Sequence, residues 1–331
     1  MTKAQIDTAL GPLAALDAFR LVFVNGAFRA DLSASVGLAA TAELMPLAPL
    51  LAKAPAWLED KFTPGHLGEE TALTSLNTAF MSDGLMLKIK PGQNPGMPVL
   101  LVSARAGGEP SAIALRHVIA MEPGAQLTLV EAHVALAGAA PKGLSNTLTD
   151  ITVADGASLD HIKFALDGAA ATHVSNWVAK VGAKAGYRGF QLTAGTGLAR
   201  NDITVEMAGE GSRLDVSGAF LGRGTSHVDT TLVVDHKAPG CASRELFKGV
   251  LDERARGVFQ GRIVVRPGAD KTDGKMMARS LMLSEDAEFD AKPELEIYAD
   301  DVVCGHGATA AELDRDLIFY CTSRGIPEAA A

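Results

Sequence analysis

Residues 151–162 read ITVADGASLDHI, where an apolar run, a tight turn at Asp155-Gly156 and a second apolar run follow one another. The same order of strand, turn, small residue and strand recurs along the chain. The small residue that follows a turn glycine falls at Ala125, Ala157, Ala183, Ser212, Cys241 and Ala269. The intervals between these positions are 32, 26, 29, 29 and 28 residues. A period near 28 residues over six strand-containing units predicts a β-solenoid.

In a β-solenoid each coil stacks on the previous one and buries a continuous aliphatic interior. The composition suits this, because hydrophobic residues make up 47% of the 331 residues, aromatic residues only 5%, and there are 34 glycines for tight turns. An antiparallel sandwich also has regularly recurring turns and remains the alternative on spacing alone. A sandwich, however, is not expected to keep a coil-length register for six units.

Three regions are predicted along the chain. Residues 1–85 form a lead-in with short helical pieces and a hairpin, since Asn25-Gly26 between two apolar runs is a strong two-residue turn signal. Residues 86–309 form the solenoid core, and residues 310–331 begin a helical segment. The apolar residues of that segment have the spacing of a buried helical stripe: Leu313, Leu317, Ile318 and Phe319.

The charge and the termini exclude several classes of protein. A net charge of -9 and a pI near 5.4 argue against nucleic acid or an anionic membrane as the partner. The first twenty residues lack a basic region followed by an apolar run, so no secretion signal is predicted. We therefore expect a cytoplasmic protein. The phosphate-loop, serine-hydrolase and zinc-protease signatures are all lacking.

Three cysteines, Cys241, Cys304 and Cys321, are too few and too widely spaced for a disulfide framework. They are also too few for an iron–sulfur cluster held by four thiolates of this chain alone. Any metal chemistry would need other ligand types or a partner.

The densest group of polar residues is PELEIYADDVVCGHGAT, residues 293–309. On a single strand Cys304 and His306 would point to the same side. Thiol, imidazole and carboxylate are ligands that suit iron or zinc, so Cys304 and His306 are the candidate metal ligands. The carboxylates expected to support them, with the first two on the same face, are Glu296, Asp300 and Asp301.

Other interpretations of these residues stay open. A lone cysteine is often a small buried hydrophobe, and Asp300-Asp301 can equally be a turn. Gly305 and Gly307 are expected to keep the imidazole between them accessible.

The remaining histidines and cysteines are weaker candidates. Packing or turn roles are expected for His236, Cys241 and Cys321, and core or solvated positions for the isolated His161, His173 and His227.

Several motifs of the C-terminal third together resemble the SufB/SufD family of Fe–S cluster assembly proteins. They are FKGVL (247–251), FQGRI (259–263), KPELEIYADDV (292–302), CGHGAT (304–309) and FYCTSRGI (319–326), and FVNGAFRADLS (23–33) agrees in order. The glycine after the histidine of CGHGAT is similar to SufD, because SufB typically carries C-x-H-E-A-T.

The resemblance implies a right-handed parallel β-helix with helical segments at both ends. It further implies that SufB and SufD pair through their β-helices, that each binds the ATPase SufC, and that the complex assembles nascent clusters. The chain would then be a non-catalytic scaffold that contacts iron or a nascent cluster only transiently. His306 stands at the position of the family's interface histidine, and Cys304 matches the motif cysteine.

Family members carry longer helical regions at both ends, and the C-terminal helices engage SufC. Residues 310–331 are therefore expected to be the start of a truncated helical segment, which leaves SufC binding by this chain open. With those helices missing, we expect a homodimer when the chain is isolated. Two alternatives are a β-helix carbohydrate-active enzyme and a purely structural pairing partner without metal contact.

Overall fold

The computed structural model describes residues 1–51, 55–63, 65–67, 71–139, 142–312 and 314–330. Within these residues the strands form one ten-stranded and one nine-stranded sheet, here called sheet A and sheet B. Sheet A contains β1 (Phe19–Val24), β2 (Ala27–Phe28), β5 (Val99–Arg105), β7 (Gln126–Ala135), β9 (Ser158–Leu166), β11 (Gly186–Ala194), β13 (Arg213–Gly222), β15 (Ala242–Leu251), β17 (Asp273–Met282) and β19 (Val303–Glu312). Sheet B contains β3 (Ala42–Pro46), β4 (Leu85–Ile89), β6 (Ala112–Met121), β8 (Leu144–Val153), β10 (Gly168–Val181), β12 (Thr196–Met207), β14 (His227–His236), β16 (Arg256–Val265) and β18 (Glu288–Ile297).

Helices are short and lie outside the stacked strands. The α-helices are α1 (Lys3–Leu10), α2 (Ala56–Glu59), α3 (Ala72–Phe80) and α4 (Arg315–Ser323). The 3-10 helices are Gly11–Ala15, Ala30–Leu32, Leu38–Ala40, Ala48–Leu50, Asp60–Phe62 and Glu328–Ala330. Helix α1 starts at a capping box between Thr2 and Gln5, and it buries Ile6 and Leu10 against sheet A. In the part of the chain that is described, no helix has the length and apolarity needed to cross a bilayer.

The strands follow a parallel β-solenoid. From β4 onwards consecutive strands alternate between the two sheets, and strands of successive coils pair in parallel. Between β7 and β19 the paired residues of sheet A lie 27 to 32 residues apart along the chain. Antiparallel strand pairs in the described residues are confined to the N-terminal β1–β2 and β3–β4. The solenoid prediction is therefore confirmed, and the sandwich is excluded.

The hairpin predicted at Asn25-Gly26 is also present. Both residues have positive φ, and they connect β1 to β2. Strand β1 pairs in turn with β5, so the N-terminal lead-in extends sheet A.

Each strand of sheet A from β9 to β19 begins with a hydrogen bond to the previous coil. The amide of the first residue of the strand donates to the main-chain oxygen of a small buried residue one coil earlier. These residues are Ala125, Ala157, Ala185, Ser212, Cys241 and Thr272, all at most 1% exposed. The sequence predicted the small residue of each coil correctly at four positions and wrongly at two. It predicted Ala183 and Ala269, whereas the structure has Ala185 and Thr272 in this place.

Both errors have the same cause. At the four correct positions the residue before the small one is a glycine with φ near +70°, a conformation that favours glycine. At the other two positions a lysine takes that place, Lys184 with φ +54° and Lys271 with φ +59°. A search for a glycine turn therefore settles on the nearest glycine and misplaces the coil boundary.

Large side chains fit the interior because glycines lie next to them in the neighbouring coil. Gly218 of β13 pairs with Phe247 of β15, and Phe220 of β13 pairs with Gly249 of β15. A Cβ atom on Gly249 would lie 2.1 Å from Cε2 of Phe220, and one on Gly218 would lie 2.5 Å from Cε1 of Phe247. Each phenylalanine ring thus occupies the space that a side chain in the adjacent coil would need.

The two ends of the solenoid differ. At the N-terminal end β2 and β3 flank the sheets, whereas at the C-terminal end β18 and β19 are the outermost strands. Helix α4 does not bury its apolar residues: Leu317 and Phe319 are exposed, Ile318 is half-buried, and Leu313 lies outside the described residues. The predicted buried stripe was therefore wrong for this chain on its own, because no described element covers that side of the helix.

We expect Gly249→Ala to destabilise the protein by about 2 kcal/mol or more, because the added methyl group overlaps the ring of Phe220 in a closely packed interior. Gly186→Ala is the matched control, since a Cβ there would be 3.9 Å from Oγ of Ser158. Thermal unfolding followed by circular dichroism measures both variants. Equal melting temperatures for the two would show that the interior absorbs the methyl group.

Candidate functional site

The predicted ligands Cys304 and His306 lie on β19, the last strand of sheet A. In the parallel register Cys304 pairs with Gly274 and His306 pairs with Met276. Paired residues of neighbouring parallel strands point to the same side, and Met276 belongs to the buried interior. Both side chains therefore face the interior of the solenoid at its open end.

Burial differs between the two side chains. Cys304 is half-buried and packs against the aliphatic core. Burial raises the pKa of its thiol, and although a backbone hydrogen bond at Gly274 opposes the shift, the negative charge of Asp273 adds to it. His306 is exposed, because no further coil lies over β19 within the described residues. A protonated thiol and an accessible imidazole thus share the interior face of the terminal coil.

The flanking glycines, Gly305 and Gly307, are not what keeps the imidazole accessible, contrary to the expectation from the sequence. They alternate with His306 along the strand and so face outward. A Cβ on Gly307 would come within 2.8 Å of Cε of Met277, whereas one on Gly305 would meet no heavy atom within 4 Å. Gly307 makes room for Met277, and His306 is exposed because no described strand lies beyond β19.

The structure separates the predicted carboxylates from this pair. The chain turns between Ile297 and Val303, so Glu296 lies on β18 in the other sheet. There it pairs with Val264, and its carboxylate contacts Arg262 at 3.2 Å on the outer surface. The prediction that Glu296 shares a face with His306 was wrong because the parity of a single strand does not continue through a turn.

Asp300 and Asp301 lie in the turn that joins the two strands. The main-chain carbonyl of Asp301 accepts a hydrogen bond from the amide of Lys271. This is the turn alternative left open by the sequence, and no contact of either carboxylate with the thiol or imidazole is present among the described residues.

Buried contacts account for two of the weaker candidates, Cys241 and His236. Cys241 is fully buried, with its sulfur 3.2 Å from the hydroxyl of Ser212 in the ladder of small residues. His236 is buried with Nε2 3.0 Å from the hydroxyl of Ser243. Cys321 is half-buried on α4.

His161 and His173 are core residues, as one of the alternatives held, but they are not isolated. Both are fully buried within a polar cluster that also includes Glu131 and His133. Sequence reasoning missed this cluster, although the two-residue spacing of Glu131 with His133 and of His161 with Lys163 places each pair on one strand face.

A comparison with family models finds a match that covers most of the solenoid and the motif at its C-terminal end. The model described as SUF system FeS cluster assembly, SufBD core domain, matches residues 103–331. This match covers most of the chain, including the open end with Cys304 and His306. The chain belongs to the SufBD family.

Curated relatives agree with this assignment. SufD from Escherichia coli is 34% identical over 243 residues, which cover 72% of this chain and 57% of that protein. A SufBD family protein from Synechocystis is 28% identical over 320 residues, covering 93% of this chain and 69% of the relative. SufD from Bacillus subtilis is 28% identical over 266 residues, covering 78% and 59% respectively. This SufBD-family chain therefore corresponds to between half and about two thirds of the length of these relatives.

A buried carboxyl group lies beneath the terminal histidine of this SufBD-family chain. Glu245 of β15 pairs with Met276, which pairs with His306, so the three side chains form one column through successive coils. Neither oxygen of Glu245 has a hydrogen-bond partner of good geometry among the described residues. Burial raises the pKa of Glu245 to about 8, although Ser243 and Arg244 oppose the shift. At neutral pH this side chain is mainly the uncharged acid.

We expect Glu245→Gln to become more stable relative to the unchanged protein as the pH rises from about 4.5 to about 8. In that window the folded protein holds a proton on Glu245 that the unfolded chain has released, so the stability of the unchanged protein falls with pH. Glutamine does not titrate and therefore does not lose this stability. Denaturant unfolding across the window measures the difference, which should level off above pH 8.

Glu206→Gln is the control of opposite sign. Although burial raises the pKa of Glu206, Lys237 and Lys180 outweigh it and lower the pKa overall. That variant should lose stability relative to the unchanged protein as the pH rises through the carboxyl range. Parallel pH dependence of the two variants would contradict the assignment of an uncharged acid at position 245.

Proposed function

We propose that this chain is a scaffold subunit of the SUF Fe–S cluster assembly system, that its open solenoid end pairs with SufB, and that His306 contributes to iron acquisition or cluster formation at that junction. The observation that carries the proposal is the position of His306, which is accessible and points inward on the outermost described strand of sheet A. The membership of the SufBD family supports the same reading. It gives no support to the carbohydrate-active alternative.

The open end has the properties of a pairing surface. Strands β18 and β19 each have a strand neighbour on one side only within the described residues, so their outer main-chain groups can extend a sheet. Exposed apolar side chains border the end at Ile297, Tyr298 and Val303. A second solenoid offers two terminal strands at the same separation, which is why we propose SufB as the partner rather than a peptide that would pair with one edge.

The proposed chemistry divides the ligands between two chains. A neutral imidazole binds ferrous iron near pH 7 through the lone pair of its unprotonated ring nitrogen. The raised pKa of Cys304 keeps its thiol protonated, which makes it the weaker ligand. A thiolate of the partner would then accept sulfur, and iron or the nascent cluster is transient cargo rather than a resident cofactor.

Other functions of the complex would lie elsewhere. We propose that ATP hydrolysis belongs to SufC, that this chain is non-catalytic, and that the complex works in the cytoplasm. For SufC the proposed contact begins at α4, whose Leu317, Phe319 and Tyr320 are exposed. The resemblance to the SufB/SufD family implies that helices at this end engage SufC, which supports the assignment.

In a complex of this chain with SufB and SufC, we expect His306→Ala to lower cluster content at least fivefold while the affinity for SufB stays unchanged. Cys304→Ala should lower cluster content less, because its thiol packs against the core. The matched control is His227→Ala, a half-buried histidine on β14, which is two strands away from the outermost strand of sheet B. Anaerobic reconstitution with iron analysis, together with titration of heterodimer affinity, provides both measurements.

Cluster content and heterodimer affinity together also distinguish a metal role of His306 from a purely structural role. If His306 only forms contacts across the junction, His306→Ala should weaken the pairing before it lowers cluster content. A normal cluster yield from the His306→Ala complex would refute the metal role.

We expect the isolated chain to form a homodimer through the same open end, because a second copy offers the same two strand edges. Val303→Lys should shift the equilibrium to monomer, since Val303 borders that end and is exposed. Leu221→Lys, an exposed leucine on β13 in the middle of the solenoid, is the control and should leave the dimer intact. Light scattering over a range of concentrations decides between them, and a monomer at high concentration would contradict the prediction.

A further inference from the structure

The interior of the solenoid is polar in its N-terminal half. Side chains that could carry charge or bind a metal reach this interior from β7, β9 and β10 and from the turn between the last two. They are Glu131, His133, His161, Lys163, Asp167 and His173, each at most 3% exposed. Such a group in a protein interior calls for a physical explanation, because burying polar atoms is costly unless each has a partner.

Three of these residues converge on one point. His133, Asp167 and His173 each offer a ligand atom, and these three atoms lie within 4.8 Å of one another. Nδ1 of His173 is 2.8 Å from Oδ2 of Asp167, and the rings of His133 and His173 meet edge to face with centroids 4.9 Å apart. Two imidazoles and a carboxylate from three different elements therefore surround a common position.

The atoms that face this position lack hydrogen bonds. Nδ1 of His133, both ring nitrogens of His173 and Oδ2 of Asp167 have no hydrogen-bond partner of good geometry among the described residues. Nδ1 of His173 and Oδ2 of Asp167 count as lacking a hydrogen bond despite their short contact, because an N–H on Nδ1 would not point at that oxygen. Each buried polar atom left without a partner costs roughly 1–3 kcal/mol. A cation bound between the three side chains would satisfy Nδ1 of His133, Oδ2 of Asp167 and one ring nitrogen of His173.

Neighbouring side chains hold the three residues in place. Nε2 of His133 lies 3.5 Å from Oε2 of Glu131, which leaves Nδ1 on the opposite side of the ring as the ligand atom. The hydroxyl of Ser145 donates to Oδ1 of Asp167 at 3.3 Å, so Oδ2 is the oxygen left for a ligand. A carboxylate behind a ligating histidine and a hydrogen bond to a ligating carboxylate are the supports found around metal sites in proteins.

Two cations oppose binding and limit its strength. The ammonium group of Lys163 donates to Oδ1 of Asn201 at 3.3 Å, and burial lowers its pKa to about 8. The guanidinium of Arg105 donates to the main-chain oxygen of Asp167 at 2.6 Å. Glu131 and Asp167 together balance these two charges, so an ion would be held mainly by its direct ligands.

We propose that His133, Asp167 and His173 form a binding site for a divalent first-row transition metal ion, with ferrous iron as the ion that best suits two histidines and one carboxylate. The site is distinct from the open end that contains His306. Six strand spacings of sheet A separate β7 from β19, which corresponds to roughly 29 Å. Asp167 lies in the turn before the exposed Ala169 and Ala170.

The test uses the full chain, freed of metal with a chelator and titrated anaerobically with ferrous iron and with Co²⁺ as a spectroscopic probe. One ion per chain should bind, with the visible bands of Co²⁺ bound to nitrogen and oxygen ligands. His173→Ala and Asp167→Asn should each weaken binding at least tenfold. Because Asp167→Asn keeps the size of the side chain, it remains informative if the alanine variant does not fold.

His227→Ala and His306→Ala are the matched controls, and both should bind Co²⁺ as the unchanged chain does. Loss of binding in His306→Ala with normal binding in Asp167→Asn would place the ion at the open end and overturn the proposal. A folded, unchanged chain that binds neither ion would overturn it as well. Co²⁺ should also raise the melting temperature of the unchanged chain but not that of Asp167→Asn, since only the native site stabilises the folded state.

Discussion

Parallel pairing in register, from one coil to the next, is the constraint on which the rest of this structure depends. Because paired residues point to the same side, a position that faces the interior in one strand faces it in every coil. The column Glu245, Met276 and His306 is one result, and the alternation of Phe220 with Gly249 is another. The ladder of small buried residues holds this register, since each main-chain oxygen fixes the start of the strand one coil later.

The same constraint divides the interior into two environments. Between β7 and β12 the inward positions include histidines, carboxylates and amides. Nearer the C-terminal end phenylalanine, methionine and aliphatic residues are more frequent, although Glu245 and His236 are also buried there. A polar interior is stable only where its members satisfy one another, as Glu131 does with Thr149 and His161. Because His133, Asp167 and His173 bring atoms without hydrogen-bond partners to one point, that point of the interior is suited to a ligand.

The open C-terminal end has the opposite character. Its outermost strands have a neighbour on one side only within the described residues, its apolar residues are exposed, and His306, which points to the interior face, is accessible there. An end of this kind is a liability for a monomer, since unpaired strand edges promote association. A partner with its own solenoid would both cover the edges and bring its side chains close to His306.

The sequence by itself determined the period, the solenoid class, the hairpin at Asn25-Gly26, and Cys304 and His306 as neighbours on one strand. These features are local or periodic, so they can be read from spacing and residue type. It did not determine the coil boundaries at Lys184 and Lys271, because a lysine in the left-handed conformation has no sequence signal as strong as glycine. It also misplaced Glu296, which the turn after Ile297 moves to the other sheet. Only the tertiary structure brought His133, Asp167 and His173 together, since proximity across strands of different sheets follows from how the coils stack and leaves no trace in spacing along the chain.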